Sequence, residues 1–118
     1  MEIRWIEYKS KKILHLDYRG AKNEHEMIEL LEKGNEYIKN SGRKILVLVD
    51  YAHTYATQTY MDKLKENGKQ NAPFIEKTAV LGVEGIKKIL MNTYVLFTGE
   101  KNIKLFENED KAKEWLVS

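Results

Sequence analysis

Hydrophobic and polar positions along the chain change period repeatedly, and the changes divide it into short elements. Glu2 to Tyr8 and Lys12 to Tyr18 are two runs joined by Lys9-Ser10-Lys11. In the second run Leu14, Leu16 and Tyr18 share one face, and Ile13, His15 and Asp17 the other. That alternation, with so short a polar joint, predicts a β-hairpin. From Glu24 to Asn40 the period lengthens: Met27, Leu30, Leu31, Gly34 and Ile38 recur at helical spacing and form a core stripe. Asn23 followed by Glu26 resembles a capping box, and Ser41-Gly42 supplies a left-handed exit.

Ile45 to Val49 is apolar on both faces, the pattern of a central parallel strand, and Asp50 ends it. Tyr51 to Gln58 reads as a loop, and a second helix as Thr59 to Asn71 with Pro73 beyond its end. The stripe of this helix (Tyr60, Met61, Leu64, Gly68) is thin, which predicts close backbone approach at Gly68. Thr78 to Val83 is a further buried strand. A third helix follows from Glu84 to Thr98, stopped by Gly99. Ile103 to Phe106 is a last strand, and Asn108 caps a last helix in which Ala112, Trp115 and Leu116 face inward. The order β-β-α-β-α-β-α-β-α predicts an α/β domain with a small mixed, mostly parallel sheet whose first strand is antiparallel.

Composition narrows the picture without redirecting it. The 118 residues fit a single domain over residues 1–118. Lys+Arg number 20 and Asp+Glu 18, a net charge of +2, too balanced to point to nucleic acid. The absence of cysteine removes disulfides, thiolate metal sites and cysteine nucleophiles, and accords with a cytoplasmic location. No apolar run approaches the ~20 residues that span a bilayer, and the first residues lack the apolar run of a signal peptide.

Catalytic motifs are not found. His15, His25 and His53 lie on a strand, a helix start and a loop, without metal-ligand spacing. There is no Gly-x-Ser-x-Gly elbow, dinucleotide fingerprint or Walker loop, so no cofactor and no metal is indicated. One segment concentrates functional groups: Asp50 to Tyr60 leaves the most buried strand at the carboxyl end of the sheet, where open α/β sheets bind ligands. Its candidate binding residues are Asp50, Tyr51, His53, Thr54, Thr57 and Tyr60. An Asp50–His53 pair there would raise the imidazole pKa or orient a hydroxyl. The structural alternative is a tyrosine-covered loop in which Thr57 or Thr59 caps the helix. The Gly82–Gly85 turn offers backbone N–H groups to an anion, although Glu84 would repel one.

The third helix is apolar beyond one stripe. Ile86, Ile89, Leu90, Thr93 and Phe97 form the expected core face. Met91 and Val95, flanked by Tyr94 and beside Lys87 and Lys88, then face outward as a candidate interface with a second copy of the chain, another protein, or an amphipathic surface.

The carboxyl half resembles a known family. Asn71-Ala72-Pro73-Phe74, Lys77 to Val83, Gly85 to Leu90, Lys104-Leu105-Phe106 and Glu114-Trp115-Leu116 are similar to the STAS-like group, the domains related to bacterial anti-anti-sigma factors. The likeness is closest to the stand-alone branch, some of whose members look like the lipid-binding CRAL-TRIO fold. It implies a mixed sheet flanked by helices and a regulatory or binding role. In the signalling members a phosphorylated serine, in an Asp-Ser pair followed by glycine, opens the helix after the central strand. The corresponding stretch here is Thr57-Gln58-Thr59-Tyr60, where Thr59 is the hydroxyl at the right place and the aspartate, serine and glycine are absent.

Three functional expectations result: a non-enzymatic domain acting through protein contacts, homodimerisation among them; a carrier of a small apolar or lipid-like ligand held between helices two and three; and, in third place, a hydrolytic enzyme using Asp50 and His53.

Overall fold

The structure, a computed structural model, describes residues 1–98 and 102–118 and, within the third helix, side chains as far as Val95. Gly99 as a helix stop lies outside the described residues, and Phe97 as a stripe residue outside the described side chains. The elements are β1 (Glu2–Tyr8), β2 (Lys11–Asp17), α1 (Glu24–Asn40), β3 (Ile45–Asp50), α2 (Gln58–Asn71), a 3₁₀ turn (Ala72–Phe74), β4 (Ile75–Leu81), α3 (Ile86–Thr98), β5 (Ile103–Phe106) and α4 (Glu109–Val117).

The hairpin forms because Lys9 and Ser10 both take positive φ (50° and 67°), the two-residue turn whose twist matches the flanking strands. The sheet order is β1-β2-β3-β4-β5, with β1 antiparallel and the other neighbours parallel. A parallel sheet that grows in one direction through right-handed crossovers places every crossover helix on the same face. Accordingly α1, α2 and α3 pack side by side over one face, and α4, which follows the last strand, covers the other.

Strand alternation then yields two cores. Leu14, Leu16, Val47, Val49 and Val80 face α1–α3, whereas Ile13, Leu46, Leu48, Ala79 and Leu81 face Ala112 and Leu116 of α4. In α1 the stripe Met27, Leu30, Leu31, Gly34 and Ile38 is buried, and Gly34 lets the helix approach Leu16. Asn23 accepts from the Glu26 amide, and Gly42 (φ 69°) provides the left-handed exit. Asn108 likewise accepts from the Lys111 amide at the start of α4. The end of α4 is held by Lys77 of β4, whose ammonium reaches the carbonyls of Trp115 (2.9 Å) and Ser118 (3.0 Å).

Several expectations are corrected. β4 begins at Ile75 rather than Thr78 and ends at Leu81, because the 3₁₀ turn feeds the strand directly. The close approach at Gly68 is made by a side chain: a Cβ there would collide with the Tyr94 hydroxyl. The largest correction concerns α3, which is turned about its axis. Met91 and Tyr94 are buried and Val95 is half-buried, while Ile86 and Ile89 are 71% and 65% exposed and Thr93 is also exposed. Met91, Tyr94 and Val95 are therefore inward residues rather than an outer interface. Lys87 turns inward too and donates to the Tyr51 carbonyl at 3.1 Å, whereas Lys88 stays exposed.

Candidate functional site

The carboxyl ends of β2, β3 and β4 form a rim built largely from loop backbone. β3 continues its ladder past Asp50: the Tyr18 amide donates to the Asp50 carbonyl and the Tyr51 amide to the Leu81 carbonyl, each at 2.9 Å. Asp50 then folds the loop back by accepting from the Ala52 amide at 2.9 Å, an Asx turn. The Tyr51 carbonyl collects the Thr54 hydroxyl (2.6 Å), the Thr54 amide (3.1 Å) and the Lys87 ammonium. These bonds hold His53 in the left-handed region at φ 60°, with its ring exposed. Gly82, at φ 74°, packs so closely on Ala52 that a Cβ would overlap its backbone.

The sequence-predicted residues divide between the two faces of the sheet. Asp50 lies on the α4 face beside Asp17. Arg19 clamps Asp17 through Nε (2.9 Å to Oδ1) and Nη2 (2.9 Å to Oδ2), and its Nε stands 3.5 Å from Asp50 Oδ2. Burial acts to raise the Asp17 pKa, but the hydrogen bonds from Arg19 outweigh it and the carboxyl is held below its ordinary value. Asp50 is thus engaged by Ala52 and Arg19, not paired with His53, so the arrangement that hydrolysis by Asp50 and His53 requires is not assembled.

Tyr51 and Tyr60 lie on the α1–α3 face, buried with Tyr18. The hydroxyls of Tyr51 and Tyr60 are 2.8 Å apart, and the three rings meet at centroid distances of 4.7 to 6.1 Å. Burial pushes all three phenols up in pKa, so they remain neutral donors and acceptors. Thr57 is the N-cap of α2, accepting from the Tyr60 amide at 3.1 Å. Thr59 is exposed in the first turn, which carries no acidic residue.

Beyond the tyrosines, the same face holds a partly open cavity of about 80 Å³ between the sheet and the three helices. Leu16, Val47 and Val80 contribute to its floor and Ile38, Leu64 and Met91 to its roof. Because α2 runs antiparallel to the strands, its last turn lies over their amino ends, opposite the tyrosines. There Asn35, Asn67 and Asn71 line the cavity. Asn71 is 3% exposed, and its amide nitrogen donates to Asn35 Oδ1. Sequence reasoning missed these carboxamides. Their signal is Asn67 and Asn71, four apart on α2, continuing the inward line of Gly68 and Leu64.

Among the described residues no group of histidines, aspartates and glutamates is arranged to hold a metal ion, and no helix is long and apolar enough to cross a membrane.

The sheet order, the helix distribution and the rim have a counterpart among protein families: the SpoIIAA-like model matches residues 13–117. The chain belongs to the SpoIIAA-like family. The match runs from β2 through α4, well beyond the carboxyl-terminal segments that carry the resemblance by eye, and agrees with the five-stranded mixed sheet and four helices. Comparison with curated proteins gave no match, and neither did comparison with solved structures. SpoIIAA-like domains are generally non-enzymatic regulators that act through protein contacts.

Proposed function

We propose that this SpoIIAA-like domain is a non-enzymatic regulatory module that meets a protein partner, a second copy of the chain included, at the carboxyl rim of its sheet. The contact surface comprises the exposed part of the loop, with His53 and Tyr55, and the first turn of α2. The single observation that carries the reading is the division of labour between two threonines: Thr57 is consumed as a helix cap, whereas Thr59 is exposed. A phosphate on Thr59 would meet free N–H groups at the positive end of the helix, in a turn without competing carboxylates. The rigid loop beside it supports the reading, since a surface pinned by Asp50, Thr54 and Lys87 loses little entropy on binding.

The test is site-specific photocross-linking in the native host, with a photoreactive residue replacing Tyr55 and, as a control, Trp5 on the edge strand. Adducts at position 55 that are absent at position 5 are expected, and they shift when Thr59 is replaced by glutamate. Adducts between copies identify the partner as the chain itself. Failure to cross-link at position 55, or equal cross-linking at both positions, overturns the reading.

A second reading is favoured by the cavity. An apolar space over the sheet, bounded by three helices and lined mainly by aliphatic side chains, suits a carrier of a small apolar or lipid-like ligand. Native mass spectrometry of protein purified from its own host should then reveal bound mass, and an unliganded spectrum counts against it.

A further inference from the structure

We infer that the cavity under α1–α3 selects a small neutral molecule with an apolar body and one hydrogen-bond donor, and that the side-chain oxygen of Asn71 receives that donor. The inference rests on the carrier reading and adds to it the chemistry of the ligand's head.

The argument begins with Asn71 itself. Its amide nitrogen is spent on Asn35, but its Oδ1 is buried and has no hydrogen-bond partner among the described residues. A buried carbonyl without a donor is costly, and native proteins leave few of them. This one belongs to a side chain that lines the cavity, at the end where Asn35 and Asn67 gather. The tyrosine end offers no equivalent vacancy: among the described residues no tyrosine hydroxyl is buried without a hydrogen-bond partner.

The remaining walls define the rest of the ligand. None of the residues lining the cavity is charged, so an ionised ligand would be buried without a counter-charge. A neutral ligand avoids that cost. One water needs roughly 10–15 Å³ of such space, so the cavity of about 80 Å³ accepts a body of roughly six to eight non-hydrogen atoms. Leu16, Val47 and Val80 require that body to be apolar. A molecule of the same shape without the donor leaves Oδ1 unsatisfied, a difference that polar-reading sites turn into large discrimination.

The experiment uses the full ¹⁵N-labelled chain, titrated with phenol, toluene and benzaldehyde, which share a ring and differ in the head group. Amide shifts of Gly68 and Thr78 report occupancy of the cavity. Phenol is expected to bind about fivefold or more tightly than toluene, the reverse of the order in a purely apolar cavity, where phenol sacrifices hydration. Asn71→Leu should lower the phenol-to-toluene affinity ratio at least about tenfold. If toluene binds as tightly as phenol or more so in the wild-type chain, the cavity does not read a donor and the inference fails while the carrier reading survives. If benzaldehyde outcompetes phenol, the amide presents its nitrogen and the inference fails in that way. If none of the three shifts cavity amides, both readings fail together. Should Asn71→Leu not fold, the wild-type order of the three ligands decides alone.

Discussion

His15 shows what a single buried group does to the pH dependence of this molecule. The ring is buried on the α4 face, neither nitrogen has a hydrogen-bond partner among the described residues, and burial holds its pKa below the ordinary value. Asp17, Glu109 and Asp50 act in the opposite direction and Arg4 reinforces the shift, but burial dominates. The imidazole therefore takes up a proton more readily in the unfolded chain than in the folded one. A lowered folded-state pKa of a base contributes stability that is present above the unfolded value of ~6.5 and lost as pH falls below it. Stability therefore decreases as pH falls below that value, because the unfolded chain binds the proton more tightly than the folded one. Urea unfolding at pH 7.5 and 5.5 should show this decrease in the wild-type chain and a smaller one in His15→Leu. Equal decreases in both would remove His15 from the account. The carboxylate of Asp17 acts in a lower window: its depressed pKa adds stability that disappears only as pH falls through the acid range.

Contacts between elements hinge on a few small residues. α2 has little apolar surface, and it gains its seat on α3 where Gly68 meets Tyr94. Alanine is normally better than glycine inside a helix by about 1 kcal/mol. At this position the added methyl meets the Tyr94 hydroxyl, so Gly68→Ala should instead destabilise the chain by about 1–2 kcal/mol. In a Tyr94→Phe background the hydroxyl overlap is removed and only a tight ring contact at 3.2 Å remains, so the same substitution should cost clearly less, a coupling that a double-mutant cycle in urea measures directly. An additive result would show that the two helices do not meet there. α3 also explains where periodicity stops being informative. Ile86, Ile89, Leu90, Met91 and Val95 surround the helix, so no stripe stands out; of the stripe the sequence pattern selected, Ile86, Ile89 and Thr93 are exposed and only Leu90 among the described side chains packs on the core. The ends of α1, α2 and α4 were legible within a residue, because Asn23, Thr57 and Asn108 are local devices that need only their own first turn.

At the scale of the molecule, the sheet is covered on both faces, and the second cover is only nine residues long. Removing residues 108–118 strips Ile13, Leu48, Ala79 and Leu81 of Ala112 and Leu116. Truncation is expected to yield a chain that keeps far-ultraviolet dichroism but binds a hydrophobic dye and loses cooperative melting. A truncated chain that still melts cooperatively would show that the α1–α3 face suffices. The sequence by itself determined the element order, the caps and the mixed sheet, since strand and helix periods, turn residues and N-caps act over a few neighbours. It also located the rim after β3, because a loop that leaves a fully apolar strand must emerge at its carboxyl end. Only the tertiary structure decided which side of the sheet each rim residue occupies. Successive strand residues point to opposite faces, so Asp50 joins Asp17 and Arg19 while Tyr51 joins Tyr18 and Tyr60. The asparagine-lined cavity and the rotation of α3 were decided at that same level, because both depend on how three helices share one face rather than on any pattern within a helix.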